Sequence, residues 1–207
     1  MNNVTNPTTP KRQTGHTPKM PDRRLALEFY IDANKIDARQ GLPEMSKLEK
    51  WHRHGVISIQ MPQDAHREAM RGKIDKPNTK ERIKKAKGYI YSIVPDEMQT
   101  QYQHIRDKIE RTLFPSGANT SKEQNDVRNV FNAAYYMAIL VTNDGDSKRQ
   151  PNGILGNRDK LAKIGIQVMR DSEAVELVKE KIKRRDERAR KVASTTGEPL
   201  PEWVGTD

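Results

Sequence analysis

Three aspartates punctuate residues 126–146, and their spacing suggests chemistry. Asp126 precedes Val127, Val130, Phe131, Ala134 and the Met137-Ala138 pair, apolar positions recurring at three- and four-residue steps as one helix face does. Ile139-Leu140-Val141 follows at once, a short apolar run of the kind buried inside parallel sheets. Asp144 and Asp146 come just after that run, where open α/β sheets place their ligand crevice. One carboxylate at a helix start and two at a strand end converge when helix and strand are neighbours. Carboxylates gathered in this way repel one another, and a bound cation or a shared proton relieves the repulsion.

The elements that must position such a group can be read on both sides. Leu27 to Ile31 reads as a first strand, leading into Asp32-Ala33-Asn34. Helical spacing over Met45–Trp51 turns Leu48 and Trp51 inward and stops at Gly55. Val56 to Ile59 reads as a second strand, and Ala65 to Ala69 as a helix carrying Glu68. Asp96 to Leu113 keeps helical spacing through Met98, Tyr102, Ile105 and Ile109, and Thr120 or Ser121 with Gln124 predicts the cap of the next helix. A short helix over Asp159–Ile164, a strand at Ile166-Gln167-Val168 and a final helix capped by Asp171 or Ser172 complete the pattern. Strand, helix and strand alternation predicts an α/β three-layer sandwich, with a central parallel sheet of about four to five strands flanked by helices, Rossmann-like in outline. Right-handed crossovers place every strand's carboxyl end on one edge, which brings Asp32 towards Asp144, with Asp126 and Glu68 reaching the same edge from helices.

The 207 residues suffice for one domain with extensions. Residues 1–24 read as a disordered basic arm, 25–180 as the folded domain, and 181–207 as a basic helical extension ending in a disordered tail. A formal charge of +10 points to a polyanionic partner, because the acidic candidates already count against it. With no cysteine, disulfides, thiolate zinc sites and thiol nucleophiles are excluded together. No apolar run approaches the roughly 20 residues of a membrane span, and the polar N-terminus is no secretory signal, so a cytoplasmic protein without a membrane partner is expected. Glycine-rich phosphate loops are absent, which argues against nucleotide-cofactor chemistry.

A helix-borne Asp, an Ala-rich turn and a hydrophobic strand ending in Thr142-Asn143-Asp144 resemble the C-terminal half of PIN-domain nucleases. Upstream, Asp32 with Asn34 after the first strand, and Glu68 on a helix after the second, match the same pattern in the same order. The resemblance covers residues 25 to 180 and implies a PIN-like fold. An oxygen-only donor set without Cys or clustered His selects Mg²⁺ or Mn²⁺. Asp32, Asp126 and Asp144 are then the principal metal ligands, with Asp146 as an extra one. Glu68 holds a second metal or orients the attacking water, while Asn34 and Thr142 supply neutral hydrogen bonds behind them. The implied activity is an endoribonuclease that hydrolyses phosphodiester bonds of single-stranded or structured RNA through a metal-activated water. A homodimer and a protein inhibitor such as an antitoxin are the protein partners the resemblance suggests. Alternatives are a catalytically inactive nucleic-acid-binding protein of the same fold, a DNA nuclease, or a phosphatase of small esters.

Basic residues crowd after Glu68, with Arg71, Lys73, Lys80, Arg82, Lys84 and Lys85 expected to contact phosphates. Lys148 and Arg149 form a second basic pair beside the acidic loop. Tyr89 and Tyr91 are positioned in sequence to stack unpaired bases. His52 and His54 read as helix-end surface residues, and His66, two residues before Glu68, as a neighbour of the site.

Overall fold

A computed structural model describes residues 19–36, 41–71, 77–145 and 153–207. Five strands form one all-parallel sheet: β1 (Glu28–Ile31), β2 (Ser58–Pro62), β3 (Tyr91–Ser92), β4 (Ile139–Val141) and β5 (Val168–Met169), in the order β3-β2-β1-β4-β5. Residues alternate between the faces. Phe29, Ile31, Ile139 and Val141 enter one core, with α1 (Pro43–Arg53) and α9 (Asp171–Thr196); Tyr30, Leu140 and Val168 enter the other. That second core is closed by α5 (Gln103–Leu113), α6 (Ser121–Tyr135) and α8 (Arg158–Ala162). Helices on both faces explain why β4 is apolar at every position: a parallel strand has no solvent side. The expected three-layer α/β sandwich is the fold observed, with five strands.

Strand order reverses between β1 and β4, which pair through Phe29↔Ile139 and Ile31↔Val141. Successive elements wind away from this point on either side, and beyond the carboxyl ends of two such strands open α/β sheets hold their ligands. α2 (Gln63–Ala69) follows β2 directly and packs against both α6 and the 3-10 turn Ala33–Lys35 after β1. α3 (Pro77–Ala86) then leads to β3, the sheet edge. The long helix expected from Asp96 is two, α4 (Asp96–Gln101) and α5, broken where Tyr102 leaves helical geometry. α7 (Gly153–Gly156) returns the chain towards β4's end.

The C-terminal reading needs correction. Residues 181–207 are not a solvated extension with a disordered tail. α9 runs to Thr196 and ends on Gly197 at φ 76°, the left-handed cap that glycine adopts without strain. Ile182, Arg185, Asp186, Ala189 and Val192 are buried along one stripe. Arg185 donates to Asp186 (2.9 Å from Nε) and to Asp207 (3.0 Å from Nη2), and its guanidinium lies 4.4 Å from the centre of the Trp203 ring. Asp207 also accepts from Arg23 at 2.6 Å, and Arg185 Nη1 donates to the Arg23 carbonyl at 2.6 Å. The tail therefore ties the start of the domain to α9. Charged residues within an apolar stripe read as surface in sequence, yet here they are neutralised by partners that arrive from far along the chain. Residues 1–18 of the expected N-terminal arm lie outside the described residues. Among the described residues, no helix is long and apolar enough to cross a membrane.

Candidate functional site

Asp32 is the first residue past β1, and its amide still donates to the Val141 carbonyl at 3.2 Å, continuing the ladder to β4. One carboxylate oxygen accepts from the Ala33 amide (2.6 Å) and the other from Asn34 Nδ2 (2.8 Å) and Thr142 Oγ1 (3.0 Å). Thr142 is fully buried, and its hydroxyl oxygen accepts from the Asp144 amide at 3.0 Å. Asn34 Oδ1 accepts from the Asn143 amide at 3.3 Å. Asn34 and Thr142 thus lock the turn after β1 to the turn after β4. Asp144 is held in turn by the start of α7: its Oδ2 accepts from the Ile154 amide at 3.0 Å and its carbonyl from Leu155 at 3.3 Å. Gly153, at φ 58°, makes this return possible, since a Cβ there would lie 2.1 Å from the Gly145 carbonyl oxygen.

Asp126 is not at a helix start, a correction to the sequence reading. α6 begins at Ser121, capped by Thr120, whose side chain accepts from the Glu123 amide while Glu123, rather than Gln124, reaches back to the Thr120 amide. Asp126 lies in the second turn, too far in to cap. Among the described residues its carboxylate has no hydrogen-bond or ion-pair partner. Burial, then the charges of Asp144 and Asp32, push its pKa up to about 7; Lys122, one turn earlier, opposes this, and Glu68 adds to it. Asp32 is also raised, first by burial, against its hydrogen bonds from Thr142 and Ala33 and with the charges of Glu68 and Asp144. Asp32, Glu68, Asp126 and Asp144 are therefore close enough to feel one another's charge, although they come from four separate elements. Glu68 is exposed on α2. As the side chains stand, however, no three His, Asp or Glu groups among the described residues meet closely enough to hold one ion.

No protein-family model matches the chain, and no curated protein matches it.

Several participants escaped the sequence reading. Lys35 is fully buried, with Nζ 3.0 Å from Asp171 Oδ2. That approach is an ion pair without hydrogen-bond alignment, because Nζ has no well-directed acceptor. Burial lowers the Lys35 pKa, opposed by Asp171 and Asp32. Asp171 therefore serves this pair. The amide of Arg170, the cap residue of α9, is instead taken by Glu173 at 2.8 Å. Arg128 Nε donates to Asp64 Oδ2 at 2.6 Å and braces α6 against α2, the helices that carry Asp126 and Glu68. His66 stacks on Tyr91 with ring centroids 4.7 Å apart. A lysine three residues after an aspartate, or an aspartate four before a glutamate, carries no signal without the fold.

The basic candidates divide. Arg82 is turned to the backbone, donating to the carbonyls of Ala69 (3.0 Å) and Arg71, so it caps α2 rather than facing a ligand. Lys85 pairs with Glu49 at 3.1 Å, and Tyr89 donates to the same carboxylate at 2.7 Å. Arg71, Lys80 and Lys84 are exposed. Asp146, Lys73, Lys148 and Arg149 lie outside the described residues.

Proposed function

We propose that the edge bearing Asp32, Glu68, Asp126 and Asp144 hydrolyses phosphodiester bonds of RNA with the help of Mg²⁺ or Mn²⁺. The observation that carries this reading is the nearness of these carboxylates at the point where strand order reverses, with Asp126 unpaired among the described residues and pushed up to about 7. Protein that gathers unneutralised acid at a ligand crevice stores a demand for positive charge. All the donors are oxygen, which suits a hard divalent ion. That no three carboxylates among the described residues form a cage is compatible with Mg²⁺, which keeps several waters and is usually held by one or two carboxylates together with substrate phosphates. Such an ion, when bound, would acidify a water and offset charge developing at phosphorus. Asn34 and Thr142 hold Asp32 and Asp144 in register, while the Arg128–Asp64 brace sets the distance between the helices carrying Asp126 and Glu68. The order of these residues resembles that of PIN-domain nucleases, which favours RNA as the substrate, and the +10 charge suits a polyanion better than a small ester.

One observation favours a second reading, a nucleic-acid-binding protein of this fold without catalysis: the carboxylates, as placed, do not close on a common point. A single panel separates the two. The protein is incubated with single-stranded RNA, single-stranded DNA and a chromogenic phosphate ester, in Mn²⁺ or in chelator. Cleavage of RNA that needs Mn²⁺ and is abolished in Asp144→Asn supports hydrolysis, whereas RNA binding without cleavage in any metal supports the rival.

A further inference from the structure

The β3 edge of the sheet is unusually apolar for a surface. Ile90 is 72% exposed, Tyr91 47% and Ile93 49%, on and around the two-residue edge strand β3. Tyr91 keeps this exposure although its ring is stacked on His66 at an interplanar angle of 29°. One aromatic face is thus supported from below and the ring's other side is open to a ligand. His66 sits on α2 two residues before Glu68, so one helix carries both, on different faces.

Positive charge lies on the helix that leads into β3. Lys80, Lys84 and Lys87 recur on one face of α3 and the turn after it, lining a shallow cleft with Ile83 and Gly88. All three are exposed, and none has an ion-pair partner among the described residues, in contrast to Lys85. A supported aromatic face that follows a stripe of unpaired ammonium groups by a few residues offers both elements with which proteins hold unpaired nucleic acid: rings take bases, cations take phosphates. An extended peptide added to β3 fits less well. β3 is only two residues long, and the Ser92 carbonyl already accepts from Asn132 and the Ile93 carbonyl from Tyr136, so it offers a short template for a strand.

We propose that Tyr91, backed by His66, is a base-stacking platform for single-stranded RNA, with Lys80, Lys84 and Lys87 tracking its phosphates. This inference rests on the hydrolytic reading for its substrate class, but its test does not depend on cleavage. Binding of a fluorescein-labelled single-stranded RNA 12-mer is followed by anisotropy in chelator, against the same sequence as a duplex. Tyr91→Ala should weaken single-strand binding roughly 5- to 150-fold and leave duplex binding nearly unchanged. Tyr91→Phe, which keeps the ring, should bind like the parent and shows that the loss is not one of fold. Lys84→Gln should lower the log–log salt slope by about 0.7. A parent that binds the single strand no better than the duplex, or a Tyr91→Ala protein that binds it as tightly as the parent, overturns the platform. Tight binding of an extended peptide that competes with RNA and survives Tyr91→Ala does so as well. Intact, Tyr91-dependent binding without metal-dependent cleavage leaves the platform standing and removes only the hydrolytic reading.

Discussion

Replacing Asp126 by Asn keeps the shape of the side chain and removes the charge its neighbours oppose. In the folded chain this carboxyl is raised from 3.8 to about 7, first by burial and then by Asp144, Asp32 and Glu68. The gap corresponds to roughly 4 kcal/mol between the two protonation states. The folded value is the higher one, so the group favours the native state fully below pH 3.8, and that contribution is lost as pH rises through about 7. In chelator, Asp126→Asn should therefore exceed the parent in stability by up to about 4 kcal/mol at pH 8, by roughly 1–2 kcal/mol at pH 5, and by almost nothing near pH 3. Urea melts at these three pH values, with the slope m constant, measure the difference. Saturating Mn²⁺ should reverse the order at pH 8, because a ligand that binds only the native state stabilises the parent more than the variant. Equal stabilities at pH 8 in chelator, or a gap that does not change with pH, would refute the claim that Asp126 stands uncompensated among like charges.

Other consequences follow from single contacts. Thr142→Val removes the hydroxyl that links Asp32 to the Asp144 amide, and Mn²⁺ affinity measured by calorimetry should fall roughly 10- to 100-fold. Gly153→Ala forces a methyl group against the Gly145 carbonyl, so the α7 turn that holds Asp144 should open, lowering both the melting temperature and RNA cleavage. Arg185→Leu leaves Asp186 buried without its cation and Asp207 with Arg23 alone; denaturant unfolding should register a loss of about 3–5 kcal/mol, while a variant that retains its stability would show the tail clasp to be dispensable.

The core of the sheet was legible because its strands obey a simple rule. Phe29-Tyr30-Ile31 and Ile139-Leu140-Val141 are apolar at every position, as only a strand covered on both faces can be. From these two strands and their flanking residues, Asp32 and Asp144 could be assigned to one edge without coordinates. β3 left no such trace: two residues paired through Met61↔Tyr91 and Pro62↔Ser92 are too few for periodicity to register. The second half of α9 was read as a basic extension because Arg185 and Asp186, charged in sequence, are neutralised in the fold by Asp207 and by each other, and only the tertiary structure reveals that exchange. Lys35 and the Arg128–Asp64 brace were invisible for the same reason, since each depends on a partner from another element. The basic cluster after Glu68 was read as a single surface, yet side chains with adjacent numbers diverge. Arg82 and Lys85 point to protein acceptors, while Lys80 and Lys84 face solvent.

The most direct measurement is a calorimetric Mn²⁺ titration of the metal-free protein in buffers of different ionisation enthalpy, at pH 6.5 and pH 8. Ion capture at the carboxylate edge must displace the proton that Asp126 holds near neutrality. The expected result is saturable binding that releases more protons at pH 6.5 than at pH 8 and is lost in Asp32→Asn. Absence of saturable binding, or binding of equal strength in Asp32→Asn without pH-dependent proton release, would contradict the central claim.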